Sequence, residues 1–239
     1  MERGQPAASS WLSTWWLRRA LELTRRYGRG DLLDVGCGEA PYRGFFDVEL
    51  HMTCDWPSTL HQKHAIDVYA DAGALPFAAA SFDTVLCTEV LEHVRDPGRV
   101  IGELSRVVRS GGHVILSVPF LYGIHEQPHD YYRFTEHGLR QLLGAAGLEP
   151  VELIRRGGAV SVVCDLTAKL VNRITRRSMK ALRVPALAQR AVLGAAVVAP
   201  QRIVAFGASA AERLSPRAAG LIGSSAVTTL GYVVVARRQ

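Results

Sequence analysis

A glycine-rich turn follows the first apolar run of the chain. The run contains Asp34, and the turn that follows it contains Gly36, Cys37 and Gly38. Glycines let a backbone come close to a ligand, and a carboxylate at this place can fix the turn or receive a cation. A dinucleotide-binding turn requires a third glycine where this chain has Pro41. The pattern therefore indicates a ligand-binding turn and disfavours NAD.

Further acids follow later apolar runs, where the strands of a parallel sheet would end. Asp55 comes 21 residues after Asp34, which is where an acid usually holds a ribose diol through two hydrogen bonds. The alternative is a solvated aspartate in a turn. Asp71 and Glu89 follow the next two runs. Open α/β sheets bind ligands at this edge, so the acids predict one common site there.

A loop rich in ionisable side chains is predicted at residues 119–135. His125 and His129 can each remove a proton at neutral pH, and Asp130 is placed to orient an imidazole. The alternative is that the polar groups of this loop only hold one another in place. The two histidines also have the spacing of metal ligands on a helix. Because Pro128 lies between them and no carboxylate or cysteine motif completes a set, no metal is expected.

The elements that must position these residues alternate between apolar runs and helical patterns. Strand, helix and strand at this spacing are typical of a parallel sheet in an α/β fold. The predicted strands are Leu32–Val35, Val48–Cys54, Ile66–Ala70, Phe82–Cys87, Val114–Val118, Val151–Ile154 and Tyr232–Ala236.

Three helices outside the last third of the chain have recognisable ends. An N-terminal amphipathic helix is predicted over 11–28, and its three tryptophans are interpreted as core residues rather than as a lid over a ligand. Asp96 is placed as the N-cap of a helix over Pro97–Arg109. Thr135 is placed as the N-cap of another helix that stops at Gly147.

The ordered motifs resemble the class I S-adenosylmethionine-dependent methyltransferases, especially their small-molecule branch. Members of that family read similarly as DVGCG, an acid, DA..LPF, SFD and EVLEHV, and the resemblance covers about Asp31 to Ile154 plus the last strand. It implies a Rossmann-like, mostly parallel seven-stranded sheet with helices on both faces. It also implies S-adenosylmethionine as cofactor, with the loop at 119–135 facing the transferable methyl group.

The resemblance also implies which residues contact the cofactor, since each matches a family motif. Many relatives have a third glycine where this chain has Ala40, a residue of similar size. The implied contacts are Asp34, Gly36, Cys37 and Gly38 beside the methionine portion, Asp55 at the ribose with Trp56 next to it, Asp71 at the adenine amino group, Ala72 at the adenine ring, and Thr88 and Glu89 at the methionine end.

Composition favours a packed globular protein with a basic surplus. Of the 239 residues 48% are hydrophobic, which excludes disorder for most of the chain, and the formal net charge is +6. The four cysteines lie far apart without a CxxC pair, which disfavours a zinc site and a disulfide framework. The N-terminal region has no continuous apolar stretch of the export type, so we expect a cytoplasmic protein.

The basic surplus is concentrated in one segment before the last strand. Residues 166–211 contain eight basic and no acidic side chains, within a helical insertion predicted over 160–226. Helices packed over the substrate pocket are the favoured interpretation, and an interfacial helix at an anionic membrane is the second. Pro200 and Arg202 disfavour a membrane span. Nucleic acid is disfavoured because exposed aromatic residues are not interleaved with the basic ones.

The sequence thus predicts a single methyltransferase domain over 1–239. Its expected activity is methyl transfer to a small-molecule or lipid-like acceptor, with oxygen favoured over carbon and nitrogen. Two alternatives stay open: a non-catalytic cofactor-binding partner protein and, less favoured, an NAD-type oxidoreductase. Peripheral contact with the inner membrane face through 166–211 is a further expectation. The sequence does not indicate an oligomeric state.

Overall fold

A seven-stranded sheet organises the fold. The computed structural model describes residues 10–58, 65–214 and 228–239. The strands are β1 Asp31–Val35, β2 Leu50–Asp55, β3 Val68–Tyr69, β4 Phe82–Thr88, β5 Val108–Pro119, β6 Leu148–Arg156 and β7 Gly231–Arg238. They lie in the order β3-β2-β1-β4-β5-β7-β6, and the neighbouring pairs from β3 to β5 are parallel. The predicted mostly parallel, Rossmann-like sheet is confirmed.

Strand β1 has a neighbour on each side and carries the residue that begins the glycine-rich turn. Asp34 pairs in register with Thr53 of β2 and with Leu86 of β4. Leu32 and Leu33 of the same strand are fully buried, as a parallel strand covered on both faces requires. Because parallel strands end at the same edge of the sheet, the turns after β1, β2 and β4 lie next to one another.

The helices connect the strands and fill the insertion. They are α1 Trp11–Thr24, α2 Pro97–Val107, α3 Glu136–Ala145, α4 Ala159–Ala181, α5 Ala186–Leu193 and α6 Ala199–Leu214, with a π-helical turn at Gly194–Val198 and 3-10 turns at Arg25–Tyr27 and Leu91–His93. The helix predicted over 11–28 therefore ends as a 3-10 turn. Residues 215–227 of the predicted insertion lie outside the described residues.

The predicted caps of α2 and α3 are confirmed. The Asp96 carboxylate accepts the Arg99 backbone N–H at 3.0 Å, and the Thr135 hydroxyl oxygen accepts the Gly138 N–H at 3.1 Å. The end predicted for α2 at Arg109 is wrong by two residues, because β5 begins directly after the helix.

Two glycines that were expected to follow α2 as a turn lie inside β5 instead. A Cβ atom on Gly112 would lie 2.7 Å from the Asp83 carbonyl oxygen, so the backbones of β4 and β5 approach too closely there for a side chain. The pairing of these strands also shifts register between Phe82 and Thr84. The glycines therefore permit a close strand approach rather than a helix end.

The chain divides into two compact units. The sheet unit comprises residues 20–120, 124–154 and 232–239, and the helical unit comprises residues 1–19, 121–123 and 155–231. The core of the sheet unit packs α2 and α3 against the strands through fully buried side chains such as Ile101, Leu104 and Leu139. Every residue that sequence analysis assigned to cofactor binding or catalysis belongs to the sheet unit.

The helical unit has its own core. Leu12 and Trp16 pack with Val162 of α4 and with Ala205 and Ala208 of α6, so Trp16 is a core residue as predicted. Trp11 and Trp15 are only partly buried against this cluster. Two hydrogen bonds anchor the start of α1 in this unit, from the Trp16 indole N–H to the Ser161 hydroxyl at 3.0 Å and from the Leu12 N–H to the Gln201 side-chain oxygen at 2.8 Å.

Helix α4 exposes an apolar stripe of four residues at helical spacing. Val163, Leu166, Leu170 and Ile174 are each between 45% and 65% exposed. One apolar face of α4 is therefore uncovered within the described residues. Elsewhere in the described part of the chain, one helical run, Ala186–Ala210, is long and apolar enough to cross a membrane by length and composition.

Candidate active site

The turn after β1 requires glycine. Gly36 and Gly38 have φ values of +70° and +55°, which L side chains rarely adopt. A Cβ atom on Gly36 would lie 2.3 Å from Cγ2 of Val90. Burial, followed by the nearby acids, raises the pKa of the Cys37 thiol to about 12. A raised pKa disfavours the thiolate form that a nucleophilic cysteine requires.

The acid predicted at the end of β2 holds this turn. The Gly38 N–H donates to Oδ2 of Asp55 at 2.7 Å, and the Trp56 N–H donates to Oδ1 at 2.7 Å. Each carboxylate oxygen can accept more than one hydrogen bond, so Asp55 retains capacity for hydroxyl donors of a ligand. The structure thus joins the first two predicted motifs directly.

Asp34 is a buried carboxylate beneath the same turn. Its side chain is about 1% exposed, and within the described residues neither of its oxygens has a hydrogen-bond partner. Nε2 of His51 lies 3.6 Å from Oδ2, which is beyond hydrogen-bonding distance. Burial raises the pKa of Asp34. A buried carboxylate in this state favours a cationic or hydrogen-bond-donating ligand group above it.

His51 was not identified from the sequence. It lies inside the second apolar run, in register with Leu32 of β1, and both ring nitrogens are buried. The sequence signal that could have identified His51 is a histidine inside the apolar run that follows the run containing Asp34. The His51 ring therefore lies beside the Asp34 carboxylate, on the neighbouring strand β2.

The acid after β3 closes its own turn. Oδ1 of Asp71 accepts the Gly73 N–H at 2.7 Å, and Ala72 is partly buried against the core of the sheet unit. The backbone that leads into this turn is tied to β2 by the Ala70 N–H, which donates to the Asp55 carbonyl at 2.9 Å. This turn therefore lies at the same edge of the sheet as the turns after β1 and β2. The Asp71 carboxylate itself stabilises the turn through its hydrogen bond with Gly73.

The residues at the end of β4 are fixed to β5. Thr88 pairs in register with Ser117. Glu89 has a φ of +54°, its N–H donates to the Ser117 carbonyl at 3.0 Å, and its Oε1 accepts from the Ser117 hydroxyl at 2.8 Å. A non-glycine residue held in this conformation is uncommon and is typical of ligand-binding turns.

Asp130 organises the loop after β5. Its carboxylate accepts two hydrogen bonds from the Arg133 guanidinium, at 2.6 and 2.8 Å, and one from the His125 backbone N–H at 2.9 Å. Burial raises the pKa of Asp130, but these donors outweigh it and lower the pKa to about 2. Nδ1 of His125 lies 3.3 Å from Oδ2. Asp130 thus ties Arg133 to the backbone of His125 and lies beside the His125 imidazole, while the predicted substrate-facing role of the loop stays a prediction.

His129 faces the end of β2. Its ring packs edge-on against Trp56 with the ring centroids 5.8 Å apart, and its Nδ1 shares a hydrogen bond with the Tyr131 hydroxyl at 3.1 Å. Its carbonyl oxygen lies 2.8 Å from Nδ1 of His93. The loop is therefore attached to Trp56 after β2 and to His93 after β4.

His125 and His129 do not face each other as a pair. Instead, the structure brings His125 to Glu92 and His93, which follow β4 in the 3-10 turn. Both residues lie in the EVLEHV motif, where His93 was expected to be structural rather than catalytic and Glu92 had no predicted site role. The signal was an adjacent Glu–His pair at the carboxyl end of a central strand. Burial, followed by the charge of nearby His93, lowers the pKa of His125.

Comparisons with known proteins agree with this geometry. Residues 33–116 match the family model described as a methyltransferase domain, and this range contains the turns after β1, β2, β3 and β4. The match supports a class I S-adenosylmethionine-dependent methyltransferase domain in this part of the chain. Ubiquinone biosynthesis O-methyltransferases of Saccharophagus degradans and Ralstonia nicotianae are 31% and 32% identical to it over 153 aligned positions. Each alignment covers 51% of this chain and 64% of the relative, so the chain spans slightly less than two thirds of their length.

Solved structures of other proteins share this fold. A phosphoethanolamine N-methyltransferase of Haemonchus contortus, in complex with S-adenosyl-L-methionine, has a TM-score of 0.52 at 14% identity, covering 99% of this chain and 58% of that one. The [4+2]-cyclase SpnF has a TM-score of 0.55 at 19% identity, covering 92% and 80%. The family fold therefore also occurs in a protein named for a different reaction, and activity must be argued from the site.

Proposed function

We propose that this protein transfers a methyl group from S-adenosylmethionine to an oxygen atom of a small-molecule or lipid-like acceptor. One observation carries the proposal: the turn after β1 combines two glycines at positive φ with the acceptors Asp34 and Asp55. Gly38 is fixed by Asp55, and the Asp34 carboxylate is buried below the turn. The family match and the oxygen-methylating relatives support the same activity.

The residues present fit this cofactor. Asp34 would accept from the ammonium group of the methionine portion, and the positive φ of Gly36 shapes the turn so that its backbone can approach the ligand. Asp55 would accept from the ribose hydroxyls, with Trp56 beside the ring. Cys37, Asp71, Ala72, Thr88 and Glu89 complete the proposed cofactor set. When bound, the sulfonium of the cofactor supplies an activated methyl group, so the protein contributes mainly positioning.

His129 is the proposed base that accepts the proton of the acceptor hydroxyl as its oxygen takes up the methyl group. It lies next to Trp56 at the cofactor edge, and Tyr131 orients its ring. His125 is less suited to this role, because Nδ1 faces Asp130 and Nε2 lies 3.9 Å from Glu92. Asp130 would act as a positioning residue for His125 and for the loop.

Two measurements on one preparation test the proposal. Titration calorimetry with S-adenosylhomocysteine should give a one-to-one complex, and labelled S-adenosylmethionine with a phenol- and quinol-containing extract should give a labelled small molecule. His129→Ala should reduce turnover by about 100-fold, the lower range for a general base, with cofactor affinity unchanged. His137→Ala, an exposed histidine of α3, is the matched control. Cofactor binding without a product from any extract would favour the non-catalytic partner protein.

The oxidoreductase alternative has a separate outcome. Binding of NAD in preference to S-adenosylhomocysteine would support it, and the non-glycine residue at Pro41 argues against it. Release of a rearranged rather than methylated product would point instead to a reaction such as that of the cyclase with the same fold.

We further propose that the helical unit contacts an anionic membrane at the cytoplasmic face, where a lipid-like acceptor would be found. The apolar stripe of α4 lies on the same helix as Arg173, Arg176, Arg177 and Lys180, and residues 166–211 contain no acid. Exposed apolar groups beside basic ones are typical of interfacial helices. Within Ala186–Ala210, 28% of the most apolar window is buried, and Arg202 argues for lying in the interface over spanning it.

Vesicle flotation tests this contact. The protein should float with phosphatidylglycerol vesicles at low salt and remain unbound with phosphatidylcholine vesicles. Leu170→Glu, within the apolar stripe, should abolish flotation, whereas Leu23→Glu, an equally exposed leucine of α1 in the sheet unit, should not. Absence of flotation for the unaltered protein, or equal flotation of both variants, would contradict the proposal. The alternative, helices that pack over the substrate pocket, would then be favoured.

A further inference from the structure

Three metal-ligand side chains converge between the 3-10 turn after β4 and the loop after β5. The donor atoms of Glu92, His93 and His125 all lie within 4.8 Å of one another. Oε1 of Glu92 lies 3.6 Å from Nε2 of His93 and 3.9 Å from Nε2 of His125. Donors around one tetrahedral zinc ion stand roughly 3.3 Å apart. The two pairs that include Glu92 are within about 0.6 Å of this spacing, and the two imidazole nitrogens would need to approach by at most about 1.5 Å.

An oxygen acceptor lies on the far side of each imidazole, within hydrogen-bonding distance of His93 and within ion-pair distance of His125. Nδ1 of His93 lies 2.8 Å from the His129 carbonyl oxygen, which fixes Nδ1 as the protonated nitrogen. Nδ1 of His125 faces the Asp130 carboxylate at 3.3 Å. Metal-binding histidines typically donate their second N–H to a carbonyl or a carboxylate in this manner, which turns the other nitrogen toward the ion.

The backbone also holds the set in place. The Tyr131 N–H donates to the Glu92 carbonyl at 2.8 Å, which ties the loop to the 3-10 turn. The Glu92 side chain is fully buried, whereas the side chains of His93 and His125 are 15% and 27% exposed. The buried member is therefore the anion, and the opening to solvent lies on the side of the two imidazoles. Glu126 lies at that opening, with Oε2 3.8 Å from Nε2 of His93.

We propose that Glu92, His93 and His125 bind a divalent transition-metal ion such as Zn²⁺ or Fe²⁺. Two imidazoles and one carboxylate suit these ions, whereas Mg²⁺ and Ca²⁺ prefer oxygen ligands alone. Three protein ligands leave a position for water or an acceptor oxygen. This set differs from the pair His125 and His129, whose spacing is that of metal ligands but for which the sequence shows no carboxylate ligand. Binding of the ion stands independently of methyl transfer, and a role toward an acceptor oxygen rests on the proposed function.

Direct metal binding tests the site. Untagged, chelator-treated protein is titrated with Zn²⁺, Co²⁺ and Mg²⁺ by calorimetry. We expect one equivalent of Zn²⁺ at micromolar or tighter affinity and at least 100-fold weaker Mg²⁺. The Co²⁺ complex should show visible absorption without a thiolate charge-transfer band, because the four cysteines are not ligands. A strong thiolate band, or no stoichiometric ion, would overturn the assignment.

Variants locate the ion. His93→Ala and His125→Gln should each weaken Zn²⁺ binding at least tenfold, whereas His137→Ala should not. Where a variant is unstable, the thermal unfolding shift of the unaltered protein with Zn²⁺ provides a readout that needs no substitution. Equal affinity in all three variants would place the ion elsewhere and refute the proposal. S-adenosylhomocysteine binding, measured on the same metal-free protein, separates this outcome from failure of the proposed function.

Discussion

Substitution of Asp55 tests whether the cofactor lies where the site predicts. Asp55→Ala removes the acceptor of two backbone N–H groups, from Gly38 and Trp56, each held at 2.7 Å. It would also remove the proposed acceptor for the ribose hydroxyls. Hydrogen bonds to a charged group are worth about 1.5–3 kcal/mol each, and water partly replaces those lost at an open site. We therefore expect affinity for S-adenosylhomocysteine to fall by about 1–3 kcal/mol, or about 5- to 150-fold.

The assay must separate loss of a ligand contact from loosening of the turn. Titration calorimetry gives the dissociation constant, and urea unfolding without ligand gives the change in folding free energy. Asp55→Asn keeps one carbonyl acceptor and should fall between the unaltered protein and Asp55→Ala. Asp47→Asn, an exposed acid near the same turn, should leave both quantities unchanged. Unchanged affinity in Asp55→Ala, with or without loss of stability, would refute the cofactor placement.

Three further substitutions test other parts of the structure. Gly36→Ala should abolish measurable cofactor binding and cost at least about 1–2 kcal/mol of folding free energy by urea unfolding, because φ is +70° and Val90 occupies the space of the new methyl group. Glu103→Gln should destabilise the fold by about 1–2 kcal/mol at pH 7, since Arg106 lowers the pKa of Glu103. The difference in folding free energy should shrink as the pH falls below 4.5, the ordinary pKa of a glutamate, because Glu103 then becomes protonated. A difference that does not depend on pH would contradict this ion pair. Thr135→Ala should cost about 1 kcal/mol by loss of the α3 cap, and no change in the unfolding midpoint would argue against the cap.

Local rules predicted most of the sheet unit. The Asp96 and Thr135 caps were predicted because an N-cap depends on a few neighbouring residues, and the apolar runs marked the strands because buried parallel strands are continuously apolar. The end of α2 was misplaced, since Gly111 and Gly112 resemble a helix stop. Their actual cause is the close approach of Asp83 from another strand, which no local pattern contains.

The site was predictable where it follows one strand and unpredictable where it joins two elements. Asp34 and Asp55 were identified because strand ends carry ligand-binding acids. Glu92 and His93 were missed, because their importance comes from the proximity of His125, more than 30 residues away in the sequence. The exposure of the apolar stripe was also missed, since periodicity marks an apolar face without showing what covers it.

The helical unit draws residues from both ends of the insertion and from the beginning of the chain. Leu12 and Trp16 are buried against Ala205, Ser161 and Gln201, which belong to the segment before the last strand. The insertion is consequently not a detachable appendage. A chain shortened by residues 160–226 would present two N-terminal core side chains to water and would be prone to aggregate. Any minimal catalytic version of this protein must therefore be trimmed at two places in the sequence together.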